Sequence, residues 1–229
     1  MKTAIVVPSR GRPENVKRLA ESFKTTQAKS DLWVILDEYD WERRNYENNA
    51  EAYDYGFLVV DNITPGMAAP LNMGVEMLMD DSIYDRYEYF AFLGDDHLPK
   101  TAYWDYKLEL AIPHGKNGIA YGNDLLQGQN LPTACLMNRQ IVEHLGGMVP
   151  PRFKHLYLDN FWRQLGQDIN GLFYCPEVII EHLHPVARKS EMDANYARVN
   201  APEIYEHDRQ IYEEYINSQE YADLEAILK

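Results

Sequence analysis

Long apolar runs are missing from this 229-residue chain, and none approaches the roughly 20 residues needed to span a bilayer. The opening MKTAIVVPSRGRP breaks at Pro8 before a signal-peptide core develops, so a cytoplasmic protein is the expectation. Cysteine is almost absent. Cys135 and Cys175 show no CxxC spacing, which argues against a disulfide framework or a zinc cluster and for two buried free thiols. Positive charge is also scarce, with 22 Lys and Arg against 36 Asp and Glu and a net charge of −14. A nucleic-acid binder needs a basic stripe to neutralise phosphates. Here only residues 1–30 are basic, with seven Lys and Arg against two acids, enough for one small anion. Nucleic acid is therefore not the expected main ligand. The tail, residues 191–229, reverses the balance with three against ten and supplies half of the net charge.

What is present is ordinary for a globular α/β protein: 45% hydrophobic and 25% charged residues, sufficient for one sizeable core. Ala4–Val7 is a short apolar run typical of a strand covered on both faces. Pro8 and the polar Ser9-Arg10-Gly11-Arg12 follow it, and Pro13 sits where a first helical turn tolerates proline. Val16, Leu19, Ala20 and Phe23 then recur at helical spacing. The alternation repeats. Leu32–Leu36 ends at Asp37-Glu38, Tyr55–Val60 at Asp61-Asn62, and Tyr89–Leu93 at Gly94-Asp95-Asp96-His97. After the third of these runs, Pro65-Gly66 marks a turn and Pro70 opens a helix with Leu71, Val75 and Leu78.

Strands alternating with helices predict a parallel sheet with right-handed crossovers, whose ligand sites lie beyond the carboxyl ends of the strands. Arg10, Arg12, Asp37, Asp61, Asp95, Asp96 and His97 are thus expected on one rim. Beyond residue 100 the pattern loosens. Phe173–Ile180 reads as a late strand interrupted by Pro176. From about Pro202 a helical tail carries Ile204, Ile211, Tyr212 and Tyr215 on one stripe. The expected organisation is a catalytic domain over residues 1–190, with 191–229 as an acidic helical extension packed on it.

Adjacent carboxylates at the end of a buried strand repel each other and lose solvation, and a divalent cation resolves that conflict. The bland alternative for Asp95-Asp96 is a turn capping the next helix. In Glu181-His182-Leu183-His184, residues two apart share a side of an extended segment, so His182 and His184 can face one ion. Carboxylate plus neutral imidazole suits Mn²⁺ or a similar first-row ion. Ser9-Arg10-Gly11-Arg12 can cradle a phosphate or a base at a helix start, but it has no P-loop spacing. Asp159 is either a helix N-cap or a general base.

Together these clusters resemble the GT-A fold glycosyltransferases, in particular the family 2-like group, over about residues 3–188. The Val7-Pro8-Ser9-Arg10 turn, Asp37 after the second strand, and Leu71-Asn72-Met73-Gly74 after the third follow that order. Asp95-Asp96-His97 stands at the place of the DxD motif. Gly146-Gly147, Asp159, Arg163-Gln164-Leu165-Gly166 and the late histidines complete the series. The chain departs from the family at His97, where an acid is usual, and at Leu158-Asp159, where a Glu-Asp pair is usual.

The resemblance implies a single Rossmann-like GT-A domain, mostly parallel, with helices flanking the sheet. It implies transfer of a sugar from a nucleotide-diphosphate donor, UDP favoured, to an acceptor hydroxyl with inversion. Mn²⁺ or Mg²⁺, with Mn²⁺ favoured, would be held by Asp96 with His182 or His184. Asp159 would be the catalytic base. Pro8, Ser9, Arg10, Arg12, Asp37, Asn72, Asp95, Arg188 and Lys189 would line the nucleotide, the last two on a lid after His184. The acceptor, whether glycan, protein or modified base, has no sequence signature. The tail tyrosines allow a homo-oligomer contact, though packing on the parent domain is the simpler use. Three alternatives compete with this reading. One is a sugar-phosphate nucleotidyltransferase, which usually carries a Gly-Thr-Arg element that the first loop lacks. A second is a metal-dependent hydrolase written from Asp95, Asp96, His182 and His184. The third is a non-catalytic carbohydrate-binding protein on the same scaffold.

Overall fold

The computed structural model describes residues 2–61, 66–80, 87–184, 198 and 201–229. Eight strands form one sheet: β1 (Thr3–Ser9), β2 (Asp31–Asp37), β3 (Gly56–Val60), β4 (Tyr89–Phe92), β5 (His97–Pro99), β6 (Ile119–Asn123), β7 (Cys135–Asn138) and β8 (Leu172–His182). Their order across the sheet is β3-β2-β1-β4-β7-β6-β8-β5. The first four are mutually parallel. β7 then runs antiparallel to both β4 and β6, β6 is parallel to β8, and β5 is antiparallel to β8. Parallel pairings thus outnumber antiparallel ones by four to three, and the sheet is mixed.

The alternation of side chains on β1 explains the layering. Ala4 and Val6 face one core, Ile5 and Val7 the other, and all four are fully buried. The Ile5 face is covered by α1 (Pro13–Thr26), α2 (Arg43–Tyr53) and α4 (Trp104–Ala111) through Val16, Leu19, Tyr46, Trp104 and Leu108. The Ala4 face is covered by α3 (Ala68–Asp80), α5 (Arg139–Leu145) and α6 (Leu158–Asp168). Pro13 occupies the start of α1, where its missing N–H costs nothing. α3 begins two residues before Pro70, which still falls in the first turn.

Pro176 lies inside β8 without breaking the sheet. The register passes from Gly122 opposite Cys175 to Asn123 opposite Ile179, so residues 176–178 bulge out and owe β6 no hydrogen bond.

The tail forms α7 (Pro202–Ile216) and α8 (Gln219–Leu228). Tyr215, Tyr221, Leu224 and Leu228 are buried in the same core as α6. Phe161 of α6 lies at this junction, with ring centroids 6.0 Å from Phe153, 5.7 Å from Tyr215 and 6.4 Å from Tyr221. No described helix is long and apolar enough to cross a membrane.

Truncating Phe161 leaves a cavity between sheet and tail. Phe161→Ala should lower unfolding stability by about 3–5 kcal/mol and Phe161→Leu by clearly less, read from urea midpoints. Equal losses for both would show that the tail does not seal this core.

Candidate active site

The carboxyl ends of β1, β2 and β4 open onto a cavity of about 260 Å³. Its wall includes Pro8, Ser9, Arg10, Arg12, Asp37, Asp95, Asp96, Asp159, His182 and His184, so most of the expected site residues meet in one place. Asp61 is exposed and stays outside the wall.

The loop after β1 is braced from below. Ser9 Oγ donates to Asp95 Oδ2 at 2.6 Å and lies 2.9 Å from the Tyr46 hydroxyl, which accepts the Arg12 N–H at 2.6 Å. Gly11 N–H donates to Asp40 at 2.8 Å. Gly11 has φ +69°, and a Cβ there would overlap the Trp41 ring, so both backbone and space call for glycine. Arg10 pairs with Asp37 at 2.6 Å, and the other Asp37 oxygen accepts the Tyr39 N–H at 2.8 Å.

The two adjacent acids after β4 avoid each other by diverging. Asp95 turns inward, where it accepts from Ser9 and lies 3.4 Å from both Arg12 and Asn15. Burial, and then the charge of Asp96, raise its pKa against the pull of Arg12. Asp96 turns toward the histidines. Burial would raise its pKa, but the two imidazoles beside it, His182 and then His97, overcome this and hold it well below the ordinary range.

Strand pairing brings these histidines together. His97 opens β5 and stands opposite His182, the last residue of β8. Their rings stack at 4.2 Å with 21° between planes. His182 Nε2 lies 3.3 Å from Asp96 Oδ2, and His97 Nδ1 lies 3.4 Å from Asp96 Oδ1 while accepting the Gly94 N–H at 3.0 Å. Gly94 is needed here, because a Cβ would sit 2.6 Å from Asp96 Oδ1 and 2.8 Å from His97 Nδ1.

A divalent metal fits this group. Asp96, His97 and His182 each offer one ligand atom within 4.8 Å of the others. His97 Nε2 and His182 Nδ1 are enclosed and have no hydrogen-bond partner. Burial, then His97, lowers the pKa of His182, which favours the neutral ring that a metal requires. The mixed oxygen and nitrogen set favours Mn²⁺ over Mg²⁺. His97 thus stands with Asp96 and His182 in this cluster. His184 lines the same cavity with its ring 4.8 Å from that of His182, outside the tight group.

Asp159 is the second residue of α6, not its cap; Tyr157 holds the cap position with φ +64°. Asp159 Oδ1 accepts the Asn160 N–H at 2.9 Å, and burial raises its pKa. Asn72, expected at the nucleotide, is committed elsewhere. Its carboxamide accepts from Met148 and Val149 N–H at 3.0 and 3.2 Å and donates to Val149 O at 2.8 Å, and it is absent from the cavity wall. It anchors the turn after Gly146-Gly147, where a Cβ on Gly147 would collide with it. Arg188, Lys189 and the expected lid lie outside the described residues.

The wall also contains residues that no motif announced: Thr133, His155, Leu156 and Arg198. Phe92 and Trp162, with centroids 5.1 Å apart, form the apolar floor, and Trp162 Nε1 donates to Met148 O at 2.7 Å.

This sheet order is that of a GT-A-type fold. No protein-family model matches the chain, and no curated protein matches it in sequence. Solved structures do match. TarS from S. aureus superposes with TM-score 0.61 at 12% identity, covering 96% of this chain and 40% of that one. The mannosyltransferase PcManGT from Pyrobaculum calidifontis, in complex with GDP-Man and Mn²⁺, gives 0.60 at 12% identity over 89% and 69%. Glucosyl-3-phosphoglycerate synthase from Mycobacterium tuberculosis, with Mn²⁺, UDP and glucosyl-3-phosphoglycerate, gives 0.56 at 13% over 92% and 77%. The chain therefore spans well under half of TarS. At these identities the likeness shows the fold.

A buried carboxylate with a raised pKa destabilises the folded state once it ionises. The penalty is absent below the unfolded value of about 3.9 and grows as pH rises through the folded one. Asp159→Asn should therefore raise the metal-free melting temperature at pH 7, with the gain fading as pH falls toward 4. A gain that persists at pH 3.5, or a loss at pH 7, would show that Asp159 is not held against its own ionisation.

Proposed function

We propose that this protein is a divalent-metal-dependent glycosyltransferase that moves a sugar from a nucleoside diphosphate donor to an acceptor hydroxyl. The observation that carries this reading is the meeting of Asp96 with His97 and His182 in the cavity that also holds Arg10, Asp37 and Asp159. Metal ligands, a cationic loop and an isolated carboxylate are the parts that displacement of a diphosphate requires. Two of the structural neighbours hold Mn²⁺ with a GDP- or UDP-type nucleotide, which supports the same class of donor here.

Asp96, His97 and His182 would hold the ion, which supplies charge neutralisation to the departing diphosphate. Asp37 would bind the base, and the Arg10–Asp37 pair would open so that the carboxylate can accept from it. UDP is the donor we favour. Arg12, steadied by Asp95, would face the phosphates, and Asp95 acts by bracing Ser9 and Arg12. Asp159 would take the proton of the attacking hydroxyl; its raised pKa brings it closer to neutrality and makes it a better base than an exposed carboxylate. A single carboxylate base on the attacking side fits inversion.

The test is thermal shift with UDP, GDP and their sugar conjugates, with and without Mn²⁺. Saturation at about a hundred times Kd adds roughly 2.7 kcal/mol. Wild type should show a Mn²⁺-dependent increment for one diphosphate class, and Asp96→Ala should lose that increment while remaining folded. A full increment in Asp96→Ala would remove the metal assignment. Asp159→Asn should keep the increment and transfer sugar about 10²–10⁴ times more slowly. Pyrophosphate release from a sugar phosphate and a nucleoside triphosphate would instead mark a nucleotidyltransferase.

A further inference from the structure

The most unusual buried charge lies outside the rim, in the tail. Asp208 on α7 is completely buried, in the middle of a stripe that otherwise carries Ile204, Ile211, Tyr212 and Tyr215. Its carboxylate accepts three consecutive backbone N–H groups, those of Lys154, His155 and Leu156, at 3.0, 2.8 and 2.7 Å. His207 Nδ1 lies 2.9 Å from Oδ1. A carboxylate taken out of water is strongly penalised unless such donors surround it, so its position and that of the loop determine each other. The loop is tied on two more sides. Lys154 O accepts the Ala68 N–H at the start of α3, at 3.0 Å. Tyr157 hydrogen-bonds Tyr205 at 2.8 Å and packs against Tyr205 and Tyr212 at 5.4 and 5.6 Å.

This loop is the cavity wall from His155 to Asp159. In the His155 ring, Nδ1 is enclosed without a hydrogen-bond partner, which leaves Nε2 as the nitrogen able to meet a ligand. Burial lowers the His155 pKa to about 4, so the ring is neutral at physiological pH. A neutral imidazole gives no charge to a diphosphate, which Arg12 would serve, and it matches the hydrogen-bonding needs of a sugar hydroxyl.

We propose that His155 is a sugar-hydroxyl contact of this cavity and that Asp208 is its positioning residue, making the C-terminal helices part of the active site. The inference rests on the transferase reading for the identity of the ligand. The Asp208 half stands on geometry alone.

Two measurements on the full-length chain separate these. Hydrogen exchange of the amides 154–156 should accelerate at least tenfold in Asp208→Ala and less in Asp208→Asn, which retains one acceptor oxygen. Unchanged exchange in both variants overturns the positioning role, independently of any ligand. Titration in Mn²⁺ then compares a nucleoside diphosphate with its sugar conjugate. His155→Ala should bind the diphosphate as wild type does. It should weaken the sugar conjugate about tenfold if the contact is to the donor, or raise acceptor KM about tenfold at constant donor affinity if it is to the acceptor. Asp208→Asn should shift the same constant in the same direction, by less than His155→Ala. Equal weakening of diphosphate and conjugate, or no change in either donor or acceptor constants, overturns the His155 role. A wild type that ignores every nucleoside diphosphate removes the transferase reading and the His155 role together, while the exchange result still decides Asp208.

Discussion

Two neighbouring carboxylates at the mouth of a dry sheet cannot share one environment, and the site is organised around separating them. Asp95 is drawn down to Ser9, Arg12 and Asn15, so its charge serves to hold the first loop. Asp96 is drawn sideways to two imidazoles from different strands. The separation works because Gly94 has no side chain to obstruct it and because β5 brings His97 level with His182. One residue of slippage in that short pairing would put the rings on opposite faces and leave Asp96 as an uncompensated, half-buried charge.

The same local conflict made part of the site visible before folding. Apolar runs ending in Asp37 and in Asp95-Asp96 are costly unless something meets the acids, and in a parallel sheet they end at the same rim. The strand–helix alternation through residue 93 was legible for the same reason: short apolar runs covered on both faces leave little ambiguity. The cluster of Asp96 with His97 and His182 was legible only in part. His182 and His184 share a side of an ideal strand, but β8 ends at His182, and the partner nearest in space is His97 on a three-residue strand whose pairing is set by tertiary contact.

Other residues were illegible for the same reason. Asn72 carries a side chain that suits ligand or backbone equally well, and its use was decided by a turn some 76 residues away in sequence. His155 sits in no periodic or motif context. Asp208 reads on a helical wheel as a polar break in an apolar stripe, and only three amides arriving from another segment give it a meaning. Long-range satisfaction of backbone groups is the information that local pattern does not carry.

The two thiols divide neatly between the layers. Cys135 packs in the core on the tail side of the sheet and Cys175 in the core beneath α1, α2 and α4. Burial raises both thiol pKa values, that of Cys175 to about 11, so neither is a thiolate in the folded protein at neutral pH. Alkylation can then proceed only through opening events, and each cysteine reports on its own layer. The molecule thus carries an internal pair of clocks that can tell whether its two halves loosen together or one before the other.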